Sequence, residues 1–464
     1  MVIGVSLLAD QLRTSDEVSA VPQIREATMN RRSLLAFLAA AGLAISGPAL
    51  AQDAPRGNAI FFHPDGTGIN HWTFLRYMTV GPDGLTNWDR LPGMALYGGH
   101  MRDNLTATSH GGATVHAYGV KVRANSFGLD GRDRITAASG QQMSIAQEAL
   151  RAGRAVGLVQ SGHIAEPGTA VFVSSVERRG DVQRIAKDVV ESGAQVILSG
   201  GERFLLPRGV RGRFGEGERE DGLNLIEQAQ RAGYTVVYTR DELLALDTNR
   251  VDRVLGVFAR NHTFNDNTEE QNRERNLPNY VTTAPTIAEM SRIALAILSR
   301  SPNGFFLVAE EEGTDNFANR NNANGQLEAL RRADEAIGVF RDFIRTAPNT
   351  LMLMTADSEA GGLNVQGGGP GDEIVQAGRP LPERDRNGAP MDGVNGAKSE
   401  PFMSAADRNG NRHAFAVTWA AEDDTSGNIL VRADGMNHEL VRGYMDNTQI
   451  YRVLYRTLFG RMIN

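Results

Sequence analysis

The chain has 464 residues and no cysteine, carries a formal net charge of -7 at pH 7, and is 41% apolar and 22% charged. The length suits one large α/β domain with insertions, or two domains, and the apolar fraction supports a real core. A disulfide framework and thiolate zinc are excluded, and the acidic balance argues against a general nucleic-acid binder, because no basic field is available to displace counterions. Small phosphate esters remain compatible, since metal ions supply positive charge locally.

Residues 1–51 read as an N-terminal extension and export signal. Asn30-Arg31-Arg32-Ser33 precedes an apolar run to Ile45, and Ala49-Leu50-Ala51 closes it with small residues at the cleavage positions. Paired arginines suggest the twin-arginine route, and Met29 serves as well as Met1 for a start. The alternative, a membrane anchor, meets a run too short for an easy span. The mature protein is therefore expected from about Gln52, in the periplasm or secreted, with no stable membrane anchor.

Asn58 to Phe62 reads as a buried strand delivering Asp65 in Asp65-Gly66-Thr67-Gly68. A carboxylate at the end of a central strand is a candidate metal ligand, with a turn or N-cap Asp as the plainer reading. Ser109 precedes the small-residue segment Gly111 to Ala117, which suits the first turns of a buried helix. Such a helix start favours an alkoxide and a phosphoryl oxygen, although a serine there is most often only a cap. A helix over Gln142 to Arg151 and a strand over Ala155 to Gln160 lead to a loop bearing His163 and Glu166. Arg178 and Arg179 follow, and a guanidinium fork there would hold two phosphoryl oxygens.

Ala194 to Gly201 reads as a strand into a glycine turn, residues 208–221 as a surface loop, Leu223 to Ala232 as a helix, Thr235 to Tyr238 as a strand and Asp241 to Leu246 as a short helix. Asn261 to Asn276 is polar and reads as a loop, and Pro285 to Leu298 as a core helix. Phe305 to Val308 is a buried strand running into Glu310, Glu311, Glu312 and Asp315, acids that need a counter-charge. A helix over Gln326 to Arg345 precedes the strand Leu351 to Met354 and then Asp357 and Ser358. Residues 361–411, rich in Gly, Pro, Asp and Asn, read as an insertion or mobile cover, and Asp446 to Leu458 as a closing helix.

In this order the segments resemble the alkaline phosphatase family. The serine helix ends in Gly119-Val120-Lys121, Asp65 opens an Asp-Gly-x-Gly, Glu310 stands five residues before Asp315, and Thr355-Ala356-Asp357 matches a Thr-Ala-Asp-His block. The chain departs from the pattern at the metal-binding histidines, where Asn319, Ser358 and Asp424 stand instead. The resemblance implies an α/β three-layer sandwich with a large central, mostly parallel sheet flanked by helices, built by residues 52–464. It also implies metal-dependent hydrolysis of small phosphate monoesters through a phosphoserine at Ser109.

On that resemblance, one ion falls to Asp65, Asp357 and Ser358 beside Ser109, a second to Asp315, Asn319 and Asp424, and a third to Glu310 with Glu166 or His163. Arg178, or its neighbour Arg179, orients the phosphoryl group. Oxygen donors in place of imidazoles favour magnesium, calcium or manganese over zinc, which carboxylates also bind. His110 is a candidate substrate contact, general acid or replacement ligand, and His116 stands where relatives carry an aromatic ring; a structural role is the commoner one for each. A phosphodiesterase or sulfatase of the same superfamily and an inactive metal or phosphate binder are the alternatives, although no formylglycine motif of a sulfatase is present. Many relatives are dimers, so a homodimer is compatible.

Overall fold

The strand Asn58–Pro64 (β1) is buried at every position, because its residues face helices on both sides of a sheet rather than alternating between core and water. Ala59 and Phe61 join one apolar cluster and Ile60 and Phe62 the other. The computed structural model describes residues 56–368 and 374–463. The export-signal reading of residues 1–51 lies outside them.

The other strands of the main sheet are Gly93–Gly98 (β2), Ala155–His163 (β3), Val196–Gly200 (β4), Thr235–Val237 (β5), Val254–Val257 (β6), Phe305–Glu311 (β7), Thr350–Met354 (β8), Leu430–Gly435 (β9) and Arg442–Asp446 (β10). The spatial order is β10-β2-β9-β8-β1-β7-β3-β4-β6-β5. Strand β9 runs antiparallel to both neighbours, and every other pairing is parallel. Parallel pairing needs crossovers, and the helices that provide them cover both faces. One face carries the helices Ser109–Tyr118, Ile145–Arg151, Val182–Glu191 and Thr448–Phe459, the other Ile69–Thr79, Ile287–Leu298 and Ala323–Thr346. This is the three-layer α/β sandwich with a mostly parallel centre that the sequence predicts.

Local signals set several boundaries. Thr286 and Glu289 form a reciprocal cap that starts the helix at Ile287, two residues after the expected Pro285. Ser144 and Gln147 do the same before Ile145, three residues later than the expected Gln142. Strand β7 extends through Glu310 and Glu311, so these acids belong to the strand rather than to the loop beyond it.

The described part of residues 361–411 contains regular structure that the sequence reading as an insertion or mobile cover did not include. Short strands at Asn364–Gly367, Met391–Gly393, Gly396–Ala397 and Phe402–Met403 assemble with Ala414–Thr418 into a small second sheet. Residues 208–221 hold no helix but are tied down: Glu202 accepts from the Arg213 and Phe214 amides at 2.7 and 2.6 Å, and the buried Arg219 donates to the Phe204 carbonyl at 2.9 Å. The polar stretch from Asn261 contains a one-and-a-half-turn helix, Glu269–Glu274, capped by Thr268. No helix among the described residues is long and apolar enough to cross a membrane.

Phe61 packs against Phe172, His63 and His116 with ring centroids 5.8, 6.0 and 5.3 Å away, stacked on His63 and edge-on to His116, so it joins the core to the site described below. Phe61→Ala should cost about 3–5 kcal/mol, read as a lowered denaturant midpoint, with Phe61→Leu losing clearly less.

Candidate functional site

Four consecutive strands, β8, β1, β7 and β3, run parallel and end at the same edge of the sheet. Chain leaving that edge carries Asp357 after β8, Asp65 after β1, Glu310 and Glu312 at β7, and His163 and Glu166 at β3. Asp315 follows on the helix Gly313–Asn319. Asp424 arrives from far along the chain on a two-residue strand whose Asp424 pairs with Ala360 and Thr425 with Glu359. The edge where a parallel sheet opens is where such folds present ligand groups.

Asp65, Glu310, Glu312, Asp315 and Asp357 are buried, and Asp424 lies at their margin. Asp357 sits close enough to Asp65 to share a proton, and so does Asp315 to Asp424. Burial first, and then the neighbouring carboxylates, push Asp315, Asp357 and Glu312 well above the ordinary range. Glu310 rises to about 7 by burial, opposed by His63. The chain's three lysines pair with acids elsewhere, at Asp446, Glu191 and Glu383. Arg332 is committed to Glu311 at 3.2 Å.

The positive group inside the cluster is His63, which the sequence reading passed over. Its Nε2 lies 3.6 Å from Asp65 Oδ1 and 3.9 Å from Asp357 Oδ1, and its Nδ1 lies 3.3 Å from Glu310 Oε1. Burial alone would lower its pKa, but Asp65, Glu310 and Asp357 raise it to about 9. Polar atoms of His63, Asp65, Asp357, Glu310 and Glu312 are left buried without partners, at Nε2, Oδ2, Oδ2, Oε2 and Oε2 respectively. One histidine against six carboxylates is a large charge deficit in a dry setting, and the donor set of oxygens with one imidazole fits divalent cations.

Ser109 opens the helix Ser109–Tyr118 but does not cap it; the Thr108 side chain accepts from the Gly111 amide. The serine hydroxyl is thereby spared from capping at the positive end of the helix. Gly112, one turn on and on the same face, lies directly against Asp357: a Cβ there would come 2.4 Å from Asp357 Oδ2. The nucleophile candidate and the carboxylate cluster are thus in one place.

Arg178 is not part of this place. Its side chain is 81% exposed and reaches Asp181 at 3.5 Å. The arginine that reaches the acids is Arg179, whose side chain, 42% exposed, donates to Glu166 at 2.7 Å and feels Glu312 and Asp315 electrostatically. The two arginines open a turn in which the Asp181 amide donates to the Arg178 carbonyl at 3.0 Å, and spacing alone did not decide which of them reaches the acids. His110 lies near Arg179 and Glu166, and burial with the arginine's charge lowers its pKa to about 4, so it is neutral at pH 7.

Asn319, expected as a ligand through its oxygen, instead turns its amide nitrogen to Asp315 at 3.2 Å and to Asp424 at 3.1 Å. Its carbonyl accepts from the Gly361 amide at 3.0 Å, so it acts as a hydrogen-bonding tie between two acids. Ser358 donates to Asp357 Oδ1 at 3.2 Å and supports that carboxylate. Glu166 is engaged by His163 Nε2 at 2.9 Å and by Arg179 at 2.7 Å, and its charge still acts on Glu310. His262, a second residue the sequence reading missed, stands 3.8 Å from the same carboxylate; an isolated histidine in a polar loop offers no spacing signal. His116 bonds Tyr97 at 2.7 Å and is structural.

A doubly covered parallel sheet whose strand ends gather buried carboxylates close to a helix-borne serine defines an α/β protein with an acidic centre whose donor set suits divalent cations. The family model for alkaline phosphatase matches residues 56–459. The chain belongs to the alkaline phosphatase family. The tissue-nonspecific alkaline phosphatase of Gallus gallus is 29% identical over 339 residues, which span 65% of this chain and 63% of that protein. The alkaline phosphatase of Gadus morhua is 25% identical over 458 residues, 87% of this chain and 92% of its own. The Thermus thermophilus alkaline phosphatase structure superposes with a TM-score of 0.68 at 22% identity, covering 89% of this chain and 93% of its own. That from the Antarctic bacterium TAB5 gives 0.66 at 18%, covering 88% and 100%. These two likenesses establish the fold.

The raised carboxylates make a pH prediction for metal-free protein. Their stabilising contribution is complete below about pH 4 and is lost as pH rises through the elevated values; His63 acts in the same direction, up to about 9. In EDTA, the melting temperature should fall as pH rises from about 5 to 8, less steeply in Asp315→Asn, and divalent cation added at the upper pH should restore it. Identical slopes for the two proteins would contradict this assignment.

Proposed function

We propose that the chain is a metal-dependent phosphatase that hydrolyses small phosphate monoesters through a phosphoserine at Ser109, acting outside the cytoplasm. The observation that supports the reading is the close carboxylate pair Asp65 with Asp357, whose Asp357 lies against Gly112 in the first turn of the serine helix, with Asp315 and Asp424 coupled to the same cluster. Family membership supports a hydrolase acting on phosphate esters, and the apparent export signal supports the location.

Each pair would hold one divalent ion. Bound there, the ions supply Lewis acidity and the positive charge that phosphoryl transfer demands. Ser109 Oγ attacks phosphorus, the P–O bond to the alcohol breaks, and the alcohol departs with a proton. Water then attacks the phosphoserine, releasing phosphate and restoring the hydroxyl. Backbone amides of the first helical turn face the phosphoryl oxygens. Arg179 forms a fork to two of those oxygens, and Glu166 fixes its direction from behind. Neutral His110 beside it adds a polar contact without a competing charge.

A chromogenic phosphate monoester and the matching diester, assayed after EDTA and then with single metals restored, test this reading. Monoester turnover should dominate, vanish with EDTA, return with divalent ions, and fall by at least about a thousandfold in Ser109→Ala. Arg179→Ala should act mainly through weaker substrate binding, and Arg178→Ala should change little. Preferential diester cleavage would move the chain to the phosphodiesterase branch, and no turnover with any metal would make it a binding protein.

A further inference from the structure

We propose that His63 Nε2 is a metal ligand completing the Asp65–Asp357 position, supplying from β1 the imidazole that Ser358 lacks, and that this position therefore takes a zinc-class ion. The proposal rests on the reading above, in which Asp65 and Asp357 hold a cation.

The geometry is that of a ring oriented on one side and open on the other. His63 and Glu310 are register partners on adjacent parallel strands, which places ring and carboxylate side by side with Nδ1 3.3 Å from Glu310 Oε1. An ionised carboxylate can only accept, so Nδ1 carries a hydrogen toward Glu310, and an ion binding at Nε2 displaces the second ring proton and takes the lone pair there. A carboxylate holding the far nitrogen of a metal-binding histidine is the common outer partner of such ligands. Nε2 faces Asp65 Oδ1 at 3.6 Å and Asp357 Oδ1 at 3.9 Å. Both separations are too long for a hydrogen bond. They are close to the ~3.3 Å between ligands around a tetrahedral ion with bonds of about 2.0–2.1 Å.

The surroundings hold the ring in that attitude. Phe61 stacks on it at 6.0 Å, and His116 meets it edge-on at 5.9 Å while anchored to Tyr97. Gly168 seals the Glu310 side: a Cβ there would come 1.7 Å from Glu310 Oε1 and 2.7 Å from His63 Nδ1. The ring is fully buried, and Nε2 has no hydrogen-bond partner. Ser358 is occupied in bonding Asp357 and does not compete for the place. An imidazole among carboxylates shifts preference from magnesium, calcium or manganese toward zinc or cobalt. The oxygen-only reading made from the sequence is then retained for the Asp315–Asp424 pair alone.

Zinc and magnesium affinities of metal-free full-length protein, measured by chelator competition for wild type and His63→Gln, test this directly. The variant should lose at least about tenfold in affinity for one zinc equivalent and little for magnesium, and the visible spectrum of the cobalt-loaded protein should shift on losing a nitrogen ligand. Glu310→Ala, which keeps the ring but frees it, should weaken zinc binding while retaining the nitrogen signature; it also serves if His63→Gln fails to fold, as far-UV circular dichroism would show. Unchanged zinc affinity and an unchanged cobalt spectrum in the folded His63→Gln protein would overturn the assignment and leave His63 as a buried counter-cation. Monoester turnover measured on the same samples separates the two ideas: absent turnover with intact zinc binding defeats the phosphatase reading alone.

Discussion

Burying several negative charges in one dry place is the constraint around which the rest of this protein is arranged. Asp65, Glu310, Glu312, Asp315 and Asp357 are withdrawn from water and Asp424 borders them, with one imidazole among them and one guanidinium at the edge. Like charges at such separations in low dielectric repel by more than isolated hydrogen bonds return. The metal-free fold tolerates the cluster by keeping protons on it, which is a poor solution near neutral pH. On the proposed function, divalent cations would remove the difficulty and convert the same repulsion into affinity.

The sheet makes this arrangement reproducible. Four adjacent parallel strands fix the starting points of four acidic segments within neighbouring strand spacings of about 4.8 Å, and a dry helix layer on each face prevents them from spreading. The helix bearing Ser109 can approach Asp357 closely because Gly112 presents no side chain at the contact. Thr108 takes the capping duty at the start of the serine helix, and Glu166 sets the direction of Arg179.

Much of this was legible in the sequence. Continuous apolar runs such as Phe305 to Val308 announce strands covered on both faces, and acids placed after such a run call for a counter-charge, which is why Asp65 and the acidic run from Glu310 to Asp315 stand out from the residues alone, whereas Asp357 and the choice of Glu310 and Asp315 within that run came with the resemblance. Asp424 required the resemblance, since a short exposed acidic run is ordinarily a solvated turn. What stayed hidden depended on direction rather than composition. Arg178 and Arg179 differ only in which way a turn points them, Asn319 only in which end of its amide meets the acids, and His63 reads as one more strand residue until its register with Glu310 is known. The small sheet within residues 364–418 was equally obscure, because strands of two to four residues show too little alternation to be recognised.

The central claim is that cations, not protons, neutralise the acidic cluster in the working protein. A crystal structure of metal-replete protein with anomalous scattering recorded at the edges of the bound metals addresses it most directly. The account predicts one anomalous peak within about 2.0–2.6 Å of oxygens from both Asp65 and Asp357 and a second shared by Asp315 and Asp424. Replete protein showing no peak at either pair, with the carboxylates still bonded to one another, would contradict it.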